Sequence, residues 1–357
     1  MQMWSARQED AVLRRHWTLC LFWWVLLVDP AVFVSAPSGC ETDFATSAQA
    51  EEVTLWENRP ATDNPILALG FEAATSEDEL LSADEPPFLD GGEPPRSNDN
   101  DDALEMGFQM LPTGLMYRSY LAGEKEPRFH SVWLHETGRG LVWETQMGGR
   151  VGLLRYGTFD AVNPQGWQLD MEGGGQTRVD PQHNSDLEAV DFRFGLLSTW
   201  RFGPNAFKAG YYHLSSHVGD EFLVRNPGFQ RTNYVRDSAI VGWTRDLTLD
   251  MQIYGEVAYA AGHEGGAKPL ELQYGYQYTP LRAYGFHGAP YFGLNGHTRQ
   301  DNNWITGVNT VAGWQWRGGQ TNHLFRLGMQ YYTGPAIQYS FVGRNETLCG
   351  AGLWFDY

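Results

Sequence analysis

The chain of 357 residues has three cysteines, too few for a disulfide framework. Cys20 and Cys40 lie in the first forty residues and Cys349 near the other end, so free thiols are expected. Long apolar runs are also missing. The run from Trp17 to Val28 covers 12 residues, short of the ~20 that a membrane-spanning helix needs. A basic stripe is missing too. The 25 Lys and Arg face 43 Asp and Glu, for a net charge of -18. Nucleic acid is therefore not an expected partner, because its binders carry an electropositive footprint.

What is present is unevenly distributed. Residues 41–105 hold 18 acids against two bases, Arg59 and Arg96, and are rich in Pro. Such a segment buries too little apolar surface to offset its ordering entropy. We read residues 37–105 as an acidic, disordered linker. Residues 106–357 are nearly neutral, with 22 acids and 20 bases. Ahead of the linker, Arg14 and Arg15 precede the short apolar run, and Val34-Ser35-Ala36 follows it. That order reads as a secretory signal peptide over residues 1–36. The stretch PSGC, ending at Cys40, weakly resembles a lipoprotein box.

Aromatic residues make up 14% of the chain, and beyond about Pro127 they recur with period 2. In LDMQIYGEVAYA, Leu249, Met251, Ile253, Val257 and Tyr259 share one face, and Asp250, Gln252, Tyr254 and Glu256 the other. In HLFRLGMQYY, Phe325, Leu327, Met329 and Tyr331 oppose Arg326, Gly328 and Gln330. The pattern predicts about twelve strands, at 127–137, 145–157, 165–179, 186–203, 205–219, 233–247, 249–262, 270–281, 289–301, 303–317, 323–334 and 346–357. These lengths meet the ~9–11 residues of a tilted spanning strand. In NWITGVNTVAGWQW, rings lie at both ends with small residues between, as two aromatic girdles around a lipid band predict. A soluble sandwich also alternates, but its buried faces are usually aliphatic. The expectation is an all-β, closed antiparallel transmembrane β-barrel over 106–357, with a disordered N-terminal extension. Its place is the outer membrane of a Gram-negative-type envelope, with membrane lipid as a partner. The last strand, ending Phe355-Asp356-Tyr357, resembles the signal read by the barrel-assembly machinery. Oligomeric state is not set by the sequence.

The inferred lumen face carries Asp170, Glu172, Asp191, Arg193, Arg201, Arg236, Asp250, Glu256, Glu271, Arg299, Arg317 and Arg326. Acids and bases balance, and a barrel of about twelve strands is narrow. Two readings stay open: a bracing ionic network, as in a non-enzymatic envelope scaffold, or a narrow conduit or binding site for a small solute. No one-sided ring names a solute.

The candidate chemical site is AGYYHLSSHVGDE, residues 209–221. His213 and Ser215 point the same way on a strand, ~6–7 Å apart. A His beside a Ser is the minimum pair for activating a hydroxyl. Gly210 to Ser216 resembles the GYxHxSN segment of outer-membrane phospholipase A, and its HxS core also resembles the lipid A deacylase barrels. Ser216 stands in place of the motif's Asn. That resemblance implies an esterase or lipid hydrolase using His213 and Ser215, with Asn226, Asp220 or Glu221 as orienting group and with Ca²⁺ as a possible cofactor. Otherwise no cofactor is expected. His213 and His217 are ~13 Å apart on a strand, too far to share zinc at bonds of ~2 Å. Tyr212, Leu214 and Val218 read as the apolar, lipid-facing set. That places His213, Ser215 and His217 toward the lumen, where bilayer lipid does not reach.

The segments YRSYLAGEKEPRF, GGRVGLLRYGT, GWQLDMEG, VDFRFGLL, YYHLSSHVGDEFLVRNPGF, NYVRD, GAPYFGLNGH, AGWQWR and GLWFDY resemble an uncharacterised barrel family, domain of unknown function 1207. The resemblance runs from about Met116 to Tyr357. It implies a barrel and supplies no catalytic residues.

Overall fold

A computed structural model describes residues 105–356. The leader, all of the acidic segment but Glu105, Cys40 and Tyr357 lie outside the described residues.

Among the described residues thirteen strands form: β1 Met106–Met110, β2 Phe129–Glu136, β3 Gly140–Thr158, β4 Gly166–Asp180, β5 Asp186–Phe202, β6 Asn205–Val218, β7 Tyr234–Asp246, β8 Met251–Glu264, β9 Leu270–Tyr278, β10 Ala289–Arg299, β11 Thr306–Arg317, β12 Leu324–Pro335 and β13 Asn345–Asp356. Among the described residues a short helix, α1 (Asp220–Arg225), follows β6. Neighbours from β2 to β13 pair antiparallel in chain order, and β13 pairs back onto β2. The sheet thus closes as a twelve-stranded barrel, with the β3 edge between Gln146 and Leu154 left without a strand partner. The predicted strands reappear with small shifts at their ends. The thirteenth strand, β1, was not anticipated. It pairs with Leu154–Thr158 of β3, beyond the stretch that β2 covers.

Alternation sets the two faces. On β5, Phe192, Phe194, Leu196 and Phe202 are exposed, while Asp191, Leu197, Thr199 and Arg201 are buried. At the end of the barrel with the β5–β6 and β7–β8 turns, outward rings line up through the ladder. One row is Tyr156, Trp167, Trp200, Phe207 and Trp243. Another is Trp316, Phe325, Phe355 and Phe129. Such a belt fits a membrane interface, where an apolar ring with a polar tip is best solvated. The Trp167 indole N–H donates to Ser198 Oγ at 2.6 Å. The opposite end carries the loops 219–233 and 336–344 and is called the loop end below.

The lumen is filled. Residues 111–128, between β1 and β2, leave the wall and cross the interior as a strap. Met116, Tyr117, Tyr120, Leu121 and Ala122 are buried there. Wall strands hold its backbone. Arg201 Nε donates to Met116 O at 2.8 Å, Arg155 donates to Thr113 O and Gly114 O, and Asn309 Nδ2 donates to Ala122 O at 2.8 Å. Strap side chains pair with the wall as well. Lys125 meets Asp191, Glu126 meets Arg150 at 2.8 Å, and Arg128 meets Asp356 at 3.3 Å. Tyr120 stacks on Tyr254 with ring centroids 3.8 Å apart. From the loop end, residues 336–344 fold inward. Tyr339 N donates to Asp191 Oδ2 at 3.1 Å, and Gln338 Nε2 donates to Glu144 Oε2 at 2.9 Å. Small spaces remain, among them about 40 Å³ beside Arg118 and Leu324, 20 Å³ beside Glu124 and His130, and 60 Å³ beside Pro280 and Gln315.

Candidate functional site

The residues expected on the lumen wall face inward and are paired. Arg193 meets Glu172 at 2.8 Å and lies over the Tyr212 ring. Arg236 meets Glu271 at 3.3 Å, and His297 Nε2 contacts the same carboxylate at 3.0 Å. Lys208 meets Glu256 at 2.5 Å, and Arg299 meets Asp301 at 3.6 Å. Arg326 meets Asp356 at 2.7 Å. Arg317 donates to Thr279 Oγ1 at 2.9 Å near the turn end. Asp191 is shared by Lys125, Ser216 and Tyr339 N. Asp250 departs from the expectation: it lies in the β7–β8 turn and accepts from Leu281 N. Charges with this many partners brace the wall and the strap. Removing one partner of such a pair strands the other away from water. On the strap, burial raises the Glu124 carboxyl above the usual carboxylate range, against the nearby His297 and Lys125.

The His213–Ser215 pair is where structure and sequence part. The inward set on β6 is Tyr212, Leu214, Ser216 and Val218, each 4% exposed or less. His213, Ser215 and His217 therefore face outward, reversing the orientation expected from the apolar pattern. The cause lies lower on the same strand. Phe207 joins the outward aromatic row, and Lys208 is buried against Glu256 inside. A period of two carries that choice up to His213. Tyr212 and Leu214 do have an apolar medium, but it is inside, with Tyr234, Ile240, Ala258 and Tyr339.

Outside, His213 finds a partner that the sequence reading missed. His213 Nδ1 lies 2.9 Å from Asp237 Oδ1 on β7, directly opposite in the ladder. The Tyr211 hydroxyl donates to the same oxygen at 2.5 Å. Asp237 belongs to NYVRD, a segment noted for its family resemblance alone. The signal that could have found it is cross-strand register, which a single sequence does not print. Asn226 does not orient His213. Its amide donates to Phe222 O at 2.9 Å and closes α1. Asp220 and Glu221 stand in the first turn of α1. Ser215 sits between Phe192 on β5 and Val235 on β7. Ser216, the other hydroxyl of the motif, is buried inside on Asp191 and Ser340.

Depth follows from register. His213 is six residues above Phe207 and Ser215 eight, or ~15 and ~20 Å along the barrel axis at ~3.3 Å per residue and a tilt of ~40°. An apolar band is ~25 Å tall. The pair thus lies in the loop-end half of the band, with Ser215 ~5 Å short of its edge.

A Ca²⁺ ion does not find a ready donor set. Among the described residues no group of three or more His, Cys, Asp or Glu converges as a metal site.

Residues 102–357 match the family described as "Protein of unknown function (DUF1207)". No curated protein matches the chain. Solved barrels are similar in fold. Outer membrane phospholipase A from Escherichia coli is 13% identical, covers 66% of this chain and 92% of its own, and gives a TM-score of 0.41. The Salmonella typhi outer membrane phospholipase dimer with bound calcium is 13% identical, covering 68% and 94%, with a TM-score of 0.43. The KdgM porin is 11% identical, covering 64% and 99%, with a TM-score of 0.37. At these identities the similarity concerns the outer-membrane-type barrel fold alone.

Proposed function

The chain belongs to the DUF1207 family, and from that premise we propose that it is an outer-membrane barrel that hydrolyses a lipid ester on its outward wall. Ser215 is the nucleophile, His213 the general base and Asp237 the carboxylate that orients the imidazole. One observation carries the reading: a His–Asp contact of 2.9 Å on the lipid-facing side, two residues from a serine. Asp237 at Nδ1 favours the tautomer whose Nε2 holds the lone pair, as a base toward serine needs. In the first step Ser215 Oγ bonds to the ester carbonyl carbon while His213 Nε2 takes the hydroxyl proton. The C–O bond to the alcohol then breaks, and the imidazolium returns the proton to the leaving oxygen. Water reverses these roles to release the fatty acid. No hydrogen bond joins Ser215 to His213 in the free protein, and catalytic contacts often tighten only with substrate present.

The test is the purified full chain in vesicles, assayed for fatty-acid release with and without Ca²⁺. Hydrolysis that disappears in Ser215→Ala, with the heat-dependent gel shift of a closed barrel retained, supports the reading. Hydrolysis unaffected by that substitution, or none under either condition, rejects it. In this reading the leader exports the chain and the assembly machinery engages β13.

The filled lumen favours a second reading, a closed envelope scaffold without activity.

A further inference from the structure

The wall of the barrel is interrupted between β2 and β3, on the side of β3 away from His213. β2 covers β3 up to Gln146, and β1 resumes at Leu154. Between them the β3 edge has no strand partner, because the chain leaves the wall to form the strap. At this break an open groove of about 520 Å³ runs along the outside of β3 and β4. Phe129, Met147, Val151, Met171 and Phe194 give it apolar sides, and its floor is bare backbone. Its volume falls in the range of small-molecule sites, ~300–1,000 Å³.

We propose that this groove seats one acyl chain of the lipid whose ester is cleaved at Ser215; the inference rests on the hydrolase reading and names its substrate as a long-chain ester lipid. Register ties the two places together. Gly149, Gly173, Phe194, His213 and Asp237 form one continuous cross-strand row. The row of Met147, Gly175, Phe192 and Ser215 lies next to it. Groove and dyad therefore share one depth, two strands or ~10 Å apart. From that level Val151 and Met171 continue the groove toward the turn end, the direction in which an acyl chain runs from an ester near the loop end. The occupant is lipid because the groove opens on the lipid-facing band rather than on either aqueous end. A chain lying there covers the exposed apolar side chains of Met147, Val151 and Met171.

Gly173 is the place to block it. A Cβ built there meets nothing nearer than Arg193 O at 3.6 Å, so a larger side chain extends into the groove without displacing the wall. The experiment is photolabelling of the full chain in vesicles of phosphatidylcholine whose palmitoyl chain carries a diazirine, with the labelled peptides read by mass spectrometry. Label is expected to concentrate on peptides around Met147 and Met171 and to stay there in Ser215→Ala. In Gly173→Leu it is expected to fall about tenfold, the effect of denying roughly two methylenes their burial. Met171→Trp, on the outward face, serves as the second variant should Gly173→Leu fail to give the heat-dependent gel shift. Label spread in proportion to the exposed wall, or unchanged in the variant that folds, overturns the inference. The readings separate cleanly. Label in the groove without hydrolysis rejects the hydrolase and leaves the binding site, whereas hydrolysis with evenly spread label does the reverse.

Discussion

The two faces of β6 make the sharpest comparison in the molecule. Inside, Lys208 is committed to Glu256, Ser216 to Asp191 and Ser340, and Tyr212 and Leu214 to an apolar cluster. Outside, Phe207 and Tyr211 meet an apolar medium, yet His213, Ser215 and His217 interrupt them. The polar groups of the lumen are explained by their partners. Those of the wall are not, because a lipid-facing surface needs no His or Asp. Polar side chains facing hydrocarbon are expensive and mark function by default. Under the proposed function the lumen braces the barrel and the wall carries the chemistry.

The largest expected effect sets the two regions apart. Ser215→Ala should lower fatty-acid release by at least about 10³-fold while leaving thermal stability nearly unchanged. Asp237→Asn should cost about 10²–10⁴-fold in kcat with little change in KM, because the amide no longer fixes the tautomer. A steady-state series on a soluble short-chain ester checks both. On the inner face, Arg178 holds Glu144 and Glu346 with no exposure of its side chain. Arg178→Met should destabilise the barrel by about 3–5 kcal/mol, read as a lower urea midpoint in detergent, with hydrolysis per folded molecule unchanged. Intact protein should give no discrete conductance in a planar bilayer, whereas deletion of 111–128 should open one if the strap is the seal. The smallest effect concerns pH. The Glu124 carboxyl is raised by burial, so the neutral form is the one the fold favours. Its contribution is present at low pH and fades as pH rises through the folded value. Glu124→Gln should therefore gain stability relative to wild type at pH 8 more than at pH 4.

Most of the barrel was legible in the chain because period-2 alternation is a direct image of a two-faced wall. The rings of β11 and β12 and the charges opposite them announce inside and outside without a structure. Alternation failed where both faces are mixed. At the loop-end half of β6 the lumen holds Tyr212 and Leu214, and the outside holds His213 and Ser215, so hydrophobicity pointed the wrong way. The anchor was Phe207 with Lys208, whose meaning depends on the rows of Trp200 and Trp243 and on Glu256. The strap escaped notice because YRSYLAGEKEPRF has no period at all. Its side chains meet partners all round the lumen, so no single direction is apolar. Asp237 escaped because its role comes from pairing with β6, 24 residues back.

The most direct measurement is fatty-acid release from phosphatidylethanolamine vesicles by the wild-type barrel and by Ser215→Ala, each verified as closed by its gel shift. The account predicts release by the wild type and none above background by the variant. Equal release by the two, or no release by either, contradicts it and leaves the sealed scaffold.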